Sequence, residues 1–223
     1  MEEVKKRTKV KYNIYYLSIA QVNEIISTAR NLKESVILKI LARTGMRRFE
    51  LTSLRVKDVD LSGKKLFIER GKNGKPRSVP VDDDTLQSIQ FYIGSRKYGK
   101  LIQSNNKTKD GIDVSRINVI IQKAAERAEI KNPDPDRKHM NPHIFRHSFV
   151  RNMIKLGMPP NYVQQVVGHS DIRITLQMYG IPSFPDIQEK YQSLIAGFES
   201  KDFNQQQEIE EQKDVSNDET LKT

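Results

Sequence analysis

The sequence predicts a mainly α-helical fold with a small β-sheet, which is an α+β architecture. Over most of the chain, apolar residues recur at steps of three and four, the spacing of helices that bury one face. Around Asn73-Gly74 the spacing changes, and this dipeptide favours a tight turn between two strands. Because the chain has 223 residues, of which 36% are apolar, it can bury the core of one or two compact domains.

Capping residues and glycines indicate where the first helices begin and end. Ser18 begins a capping-box pattern, and the helix that follows is expected to end near Arg30. A second helix is expected over residues 35–44, because Gly45 stops it, and a third is expected to begin near Arg47. The buried side of this third helix is expected to hold Phe49, Leu51 and Leu54. Further helices are predicted over 82–93, 115–129, 142–156, 160–167 and 187–198.

Two strand-like runs, 66–70 and 77–81, flank the predicted turn, so a β-hairpin or a three-stranded sheet is expected there. The turn would present Lys72 and Lys75 at its tip. By itself, a lysine at the tip of a hairpin is most often a solubilising surface charge. A functional role for either lysine therefore depends on partners elsewhere in the chain.

Composition excludes several classes of protein and of site. No run of 18 apolar residues is present, so no membrane-spanning helix is predicted, and the first residues lack the apolar core of a signal peptide. The expected location is the cytoplasm, in association with the nucleoid. The chain has no cysteine, which excludes disulfides and thiolate metal sites. No cofactor is predicted.

Charge is distributed unevenly along the chain. The net charge is +10, but residues 199–223 hold eight acidic and three basic residues, so residues 1–198 carry +15. A body this basic favours a nucleic acid partner over a membrane, because no long basic amphipathic helix is present; simple solubility is the alternative. Residues 1–14 are expected to form a basic arm that lies along phosphates or is merely a solvated terminus.

The stretch 141–180 combines residue types that chemistry at a phosphate requires. His143 and Arg146 are three residues apart, so on a helix they project from one face and can hold the same anion. Tyr179 supplies an ionisable oxygen, while histidine and arginine supply a base and donors for developing charge. Arg47 is expected at a helix amino terminus, where its guanidinium and backbone N–H groups could face one phosphate.

Each of these residues, taken singly, also has a purely structural interpretation. Tyr179 lies at helical spacing from Ile172 and Leu176, which is typical of a core aromatic. His169 follows a glycine that ends a helix and could simply cap carbonyl groups. His147 is expected to be structural. The functional interpretation rests on all of these residues occurring together in one basic protein.

As a set, the motifs resemble those of the tyrosine recombinases, also called the phage integrase family, which includes the Xer-type recombinases. The pattern H-x-x-R-H-S-F stands at 143–149, and G-H-S-D stands at 168–171, followed by the tyrosine at 179. Upstream, a T-G-apolar-R-x-x-E-L segment stands at 44–51, and a lysine in a hairpin turn is matched at 71–75. No single motif is specific, but the set of six positions, filled in order, is highly specific.

The resemblance implies a site-specific recombinase that cleaves and rejoins double-stranded DNA without metal or ATP. In such an enzyme Tyr179 would attack the scissile phosphate, form a 3′-phosphotyrosyl bond and release a 5′-hydroxyl. The oxygens of this phosphate would be held by Arg47, Arg146 and His169. His143 would be the base, and Lys72 the acid for the leaving oxygen, with Lys75 as the second candidate.

The resemblance covers residues 15–198, which are expected to form the catalytic domain, followed by an acidic tail over 199–223 that is expected to be disordered. In this family a helix like that predicted at 187–198 typically docks on a neighbouring protomer in a cyclic tetramer; the alternative is that it packs on its own body. The apolar stripe of this helix consists of Ile187, Tyr191, Leu194, Ile195 and Phe198.

One departure from the family concerns how the protein holds the DNA duplex. Tyrosine recombinases usually carry an amino-terminal helical domain that closes round the duplex, and the 14 residues before the expected domain do not match it. A minimal recombinase, a piece of a longer chain, and dependence on an accessory DNA-binding partner are the interpretations left open. Two further functions remain alternatives: DNA relaxation like that of type IB topoisomerases, and DNA binding without catalysis.

Overall fold

The computed structural model describes residues 15–69, 76–106, 108–169, 171, 173, 176, 184 and 187–196. The chain divides into two units, residues 1–179 and 180–223. In the described part of the first unit, the helices are α1 (Ile19–Ser27), α2 (Leu32–Thr44), α3 (Arg48–Ser53), α4 (Asp83–Ile93), α5 (Val114–Arg127), α6 (Pro142–Lys155) and α7 (Pro160–Val167). The strands are β1 (Val59–Asp60), β2 (Lys65–Ile68) and β3 (Arg77–Pro80), and a 3₁₀ turn spans Val56–Asp58. The predicted mainly helical fold with a small sheet is confirmed.

Helix α2 is the centre of the core of the first unit. It packs against α1, α3, α4, α5 and α6, so apolar side chains on several of its faces are buried. Its fully buried side chains are Val36, Ile37, Leu38, Ile40 and Leu41. Because α6 and α3 both pack on this rigid centre, α2 sets their relative positions.

The three strands form one antiparallel sheet in the order β1-β2-β3. Leu66 pairs with Val79 across β2 and β3, and both side chains are fully buried. Successive side chains of a strand point to opposite faces, so the next residue, Phe67, is 44% exposed. The last pair of this ladder joins Ile68 to Arg77. Of the two arrangements left open by the sequence, the three-stranded sheet is present.

Two details of the helices differ from the sequence expectations. Helix α2 begins at Leu32, not at 35, because the Asn31 side chain accepts a hydrogen bond from the Glu34 N–H and caps a polar first turn. Phe49 was expected to be buried, but it is 60% exposed, and the Arg48 guanidinium lies 5.2 Å from its ring centroid. A cation placed in this way is attracted to the aromatic face.

The segment before α1 is fixed to α6 by its backbone. The N–H of Leu17 donates to Oγ of Ser148 at 2.8 Å, and the carbonyl of Leu17 accepts from Nδ2 of Asn152 at 3.2 Å. The Leu17 side chain is fully buried. Both polar partners lie on the helix that carries His143 and Arg146.

In the second unit, residues 187–196 are helical, within the helix predicted over 187–198. The exposed fractions of its larger apolar side chains are 51% for Ile187, 60% for Tyr191, 61% for Leu194 and 37% for Ile195. The fifth residue of the predicted stripe, Phe198, lies outside the described residues. In the described part of both units, no helix is long and apolar enough to cross a membrane.

Gly45 ends α2 in a left-handed conformation, with φ +61°, at a point of close packing. A Cβ atom there would lie 2.6 Å from Cδ1 of Phe149 and 3.0 Å from Cγ1 of Val167. Gly94, which follows α4, also has a positive φ, +57°, but its ψ of −127° lies outside the left-handed helical region, and a Cβ atom there would meet nothing within 4 Å. Both positions strain an L side chain, but only Gly45 adds steric overlap.

We predict that Gly45→Ala lowers the free energy of unfolding by roughly 2 to 5 kcal/mol, because strain and overlap add. Gly94→Ala is the control without overlap and is expected to lose about 1 to 3 kcal/mol, since backbone strain acts alone. Urea unfolding followed by circular dichroism measures both values. Equal losses for the two variants would show that overlap with Phe149 adds nothing to the loss of stability at Gly45.

Candidate active site

Arg47 stands immediately before α3 and is held by Glu50. Its backbone N–H donates to Oε2 of Glu50 at 2.8 Å, and its Nη1 lies 3.3 Å from Oε1 of the same carboxylate. Its Nη2 lies 3.5 Å from the carbonyl oxygen of Gly168. Both contacts of the guanidinium are long, and the side chain is 25% exposed. Arg47 is therefore oriented by its neighbours and still reaches solvent.

Arg146, on α6, is buried. Its Nη1 donates to the carbonyl of Gly45 at 2.6 Å, and its Nη2 donates to the carbonyl of Val167 at 2.7 Å. Burial and the positive charge of Arg47 lower the pKa of Arg146 to about 9. The guanidinium therefore remains cationic at neutral pH, and its charge lies close enough to Arg47 to interact with it.

Arg77, the first residue of β3, joins the same cluster and was not singled out as a site residue from the sequence. Its Nη1 and Nη2 donate to Oε1 and Oε2 of Glu50 at 2.8 and 2.9 Å, a bidentate pair. Its Nε donates to the carbonyl of Val166 at 2.9 Å. The sequence carried no signal for it, because the burial of Glu50, which requires a second cation, is seen only in the structure.

The end of α7 gathers the three arginines. The successive carbonyls of Val166, Val167 and Gly168 accept from Arg77, Arg146 and Arg47, respectively. The last carbonyls of a helix have no partner within the helix and carry the negative end of its dipole. Three guanidinium groups can therefore lie close together at this helix end.

The charge of the cluster is not balanced by the described side chains that contact it. Burial alone would raise the pKa of Glu50, but hydrogen bonds from Arg77 and from the backbone of Arg47 hold it below its usual value. One carboxylate therefore faces three guanidinium groups, which leaves a surplus of two positive charges. Such a site suits an oxyanion such as a phosphodiester, which guanidinium groups bind well.

A small pocket of about 60 Å³ brings together Arg47, His143 and Arg146. Its other lining residues are Met46, Arg48, Phe49 and Pro142. Partial burial and the nearby positive charges of Arg48 and Arg146 lower the pKa of His143. At neutral pH its imidazole is therefore mainly neutral and able to accept a proton.

His169 is the residue directly after Gly168 and is buried. Its backbone N–H donates to the carbonyl of Gln164 at 3.2 Å, and its own carbonyl accepts from Nε2 of Gln164 at 3.1 Å. This places His169 next to the carbonyl that Arg47 contacts.

His147 lies one turn after His143 and is half-buried. Burial lowers the pKa of its imidazole. A structural role for His147 stays a prediction.

The remaining predicted site residues lie outside the described residues. These are Lys72, Lys75 and Tyr179, and the basic arm over 1–14 lies outside them as well. The strand residues Ile68 and Arg77, which lie on either side of Lys72 and Lys75 in the chain, are paired with each other. Among the described residues, no cluster of three or more His, Asp or Glu side chains could hold a metal ion.

Comparisons with known proteins identify relatives of this chain. The tyrosine recombinase XerA of Pyrococcus horikoshii is 28% identical over 162 residues, which cover 71% of this chain and 54% of that protein. A crystal structure of a XerA recombinase matches with a TM-score of 0.67 and 26% identity, covering 86% of this chain and 66% of that one. The Tn1549 transposon integrase in complex with transposon right end DNA matches with a TM-score of 0.65 and 21% identity, covering 86% and 68%.

This chain spans about half of the length of the XerA protein it matches, 54%. The two structural matches confirm that the fold is that of a tyrosine recombinase catalytic domain. The sequence profile of the Phage integrase family matches residues 16–183, a range that includes all four of the described candidates, Arg47, His143, Arg146 and His169. The chain therefore belongs to the phage integrase family and is related to the tyrosine recombinases.

Proposed function

We propose that this protein is a site-specific recombinase that cleaves and rejoins double-stranded DNA through a 3′-phosphotyrosyl intermediate. The observation that carries the proposal is the cluster of Arg47, Arg77 and Arg146 around the end of α7, with its surplus of positive charge. A phosphodiester in the pocket beside Arg47 would meet donors where negative charge increases in the transition state. Charge stabilisation of this kind is usually the largest contribution to catalysis of phosphoryl transfer.

The arginines would hold the phosphate in two ways. Arg47 is partly exposed and makes only long contacts, so its N–H groups can turn to the nonbridging oxygens. Arg146 is fixed by two short hydrogen bonds to carbonyls and would contribute charge, and its other N–H groups can donate to an oxygen. His169, beside Gly168, would supply a further donor to the phosphate.

Tyr179 would be the nucleophile. A free tyrosine has a pKa near 10, so only roughly one in a thousand is ionised at neutral pH, and a base is needed. His143 would accept the phenolic proton, since partial burial and the adjacent arginines favour its neutral form. Lys72 would protonate the leaving 5′-oxygen, with Lys75 as the alternative. Because one phosphoester replaces another, no ATP is consumed.

The partner would be double-stranded DNA in the cytoplasm, in association with the nucleoid. The +15 charge of residues 1–198 favours phosphate contacts along a duplex, and the similar Tn1549 integrase holds transposon DNA. An accessory DNA-binding partner is also part of the proposal. Residues 15–198 would form the catalytic domain, followed by an acidic tail over 199–223.

The protein would act as a tetramer on two DNA sites. The helical segment 187–196 exposes Ile187, Tyr191, Leu194 and Ile195, an apolar face that a neighbouring protomer could cover. Exchange of this helix between protomers would couple assembly to the placement of Tyr179, which lies eight residues before it in the chain.

Tyr179→Phe is expected to bind DNA with nearly unchanged affinity and to form no covalent adduct, because the nucleophilic oxygen is removed. The probe is a duplex library with a randomised, singly nicked centre, and sequencing of the captured DNA gives the cleaved site. Tyr162→Phe, which changes an exposed tyrosine on α7, is the matched control and should react like the wild type. Adduct formation by Tyr179→Phe would exclude Tyr179 as the nucleophile.

The same library also separates the alternative functions. A wild-type protein that binds DNA but never forms an adduct would be a DNA-binding protein without catalysis. If adducts form, two supercoiled plasmids are prepared, one with a single copy of the captured site and one with two copies. Relaxation without joining of the two sites would indicate an activity like that of a type IB topoisomerase.

Formation of the adduct is expected to persist in EDTA, because arginine side chains would supply the positive charge at the phosphate. The measurement is the rate of covalent capture with EDTA and with added Mg²⁺. Similar rates are expected under the two conditions. A strict requirement for Mg²⁺ in the covalent step would contradict the proposed mechanism.

Replacement of both Leu194 and Ile195 by Asp is expected to abolish joining of two sites while one protomer still binds one half-site. The physical reason is that two charges would have to be buried in the interface between protomers. The matched control replaces Gln192 and Ser193 by Asp, which adds the same charge at exposed polar positions of the same helix. Normal recombination by the Leu194 and Ile195 variant would contradict exchange, and loss of folding would place the helix in its own core.

A further inference from the structure

Arg77 is held more firmly than any other arginine that contacts Glu50. Its guanidinium donates three short hydrogen bonds, at 2.8 and 2.9 Å to the Glu50 carboxylate and at 2.9 Å to the Val166 carbonyl. Its side chain is 11% exposed, against 25% for Arg47. A guanidinium group has a fixed orientation when both of its Nη atoms bind one carboxylate and its Nε atom binds a carbonyl. Arg77 therefore does not reach outward to a ligand, and its role must act through its neighbours.

Glu50 is shared unequally between two arginines. Each of its oxygens accepts one short bond from Arg77, whereas the guanidinium of Arg47 reaches only Oε1, at 3.3 Å. The Glu50 side chain is 4% exposed, so its charge must be neutralised within the protein. Arg77 supplies most of that neutralisation, and the guanidinium of Arg47 is left with weak contacts.

The guanidinium of Arg77 is tightly packed against its surroundings. A Cβ atom on Gly168 would lie 3.0 Å from both Cζ and Nη1 of Arg77, so the backbone of Gly168 packs directly on the guanidinium. Gly168 also provides the carbonyl that Arg47 contacts at 3.5 Å. Arg77 thus fixes the carboxylate on one side of Arg47 and the end of α7 on the other.

We propose that Arg77 is a positioning residue that occupies the carboxylate of Glu50 and so keeps the Arg47 guanidinium available for the phosphate of the DNA. Without Arg77, the buried carboxylate would draw Arg47 into a closed bidentate pair. The inference rests on the proposed function, because it assigns Arg47 to the phosphate. It adds a residue whose effect on cleavage operates through Glu50 rather than through contact with DNA.

The test measures the single-turnover rate of adduct formation by the full chain at saturating DNA, using the site recovered from the nicked library. Arg77→Gln is expected to lower this rate by about 100-fold, the effect of a displaced catalytic group, while affinity for the intact duplex stays unchanged. Arg77→Lys keeps the positive charge but cannot form the bidentate pair, so its rate is expected to lie between those of the wild type and Arg77→Gln. An unchanged rate for both variants would overturn the proposal.

A second substitution distinguishes positioning from a loss of structure. In the Arg77→Gln background, Glu50→Gln removes the charge that would draw in Arg47, so the cleavage rate is expected to recover about tenfold. A structural defect would not be repaired by removing a second polar partner. A rate that Glu50→Gln leaves unchanged or lowers further would overturn the proposal. If Arg77→Gln fails to fold in a thermal melt, the same pair of measurements is made with Arg77→Lys.

Arg127 provides the matched control. Its Nε donates to the carbonyl of Thr28 at 2.8 Å, and its Nη2 donates to Glu34 at 2.8 Å, the same kinds of contact away from the arginine cluster. Arg127→Gln is expected to lower the melting temperature but to leave the cleavage rate of the folded protein unchanged. A wild-type protein that forms no adduct would contradict the proposed function itself, whereas equal rates in wild type and Arg77→Gln contradict only the role of Arg77.

Discussion

The arrangement of the site depends on the placement of three guanidinium groups around one end of α7. Like charges this close repel, and burial removes the water that would screen them. The structure compensates with the carboxylate of Glu50 and with three successive helix carbonyls, of which those of Val166 and Val167 are in close contact with Arg77 and Arg146. The compensation is incomplete, and the remaining positive charge is what makes the site suited to an anion.

The groups in this cluster come mainly from the ends of secondary-structure elements. α2 ends at Gly45, whose carbonyl holds Arg146, and α3 begins just after Arg47. β3 begins at Arg77, and α7 ends beside Gly168. Backbone donors and acceptors are paired with each other inside a helix but lack helical partners at its ends. Helix ends can therefore orient charged side chains without further polar residues. The helices packed around α2 hold these ends in place.

Local chemistry made part of the structure predictable. Ser18 does form the expected capping box, Gly45 and Gly168 do end helices, and the Asn-Gly dipeptide correctly indicated two paired strands on either side of it. Long-range contacts could not be read in this way, since Arg77 meets Glu50 across 27 residues and Val166 across 89. The exposure of Phe49 was missed because a helix of six residues has too few turns to define a buried face. The roles of Lys72 and Tyr179 stay predictions.

The use of three consecutive carbonyls at the end of α7 restricts how the length of this chain can vary in evolution. One residue inserted into or deleted from α7 would rotate its end by about 100° and redirect all three acceptors away from their arginines. The largely exposed part of the connection between α4 and α5, residues 104–106 and 108–110, has no such constraint, because it makes none of the contacts of the arginine cluster and lies between the buried segments at Leu101 and Ile112. Length changes among relatives should therefore accumulate in that connection, while α7 keeps a constant number of residues between Pro160 and Gly168.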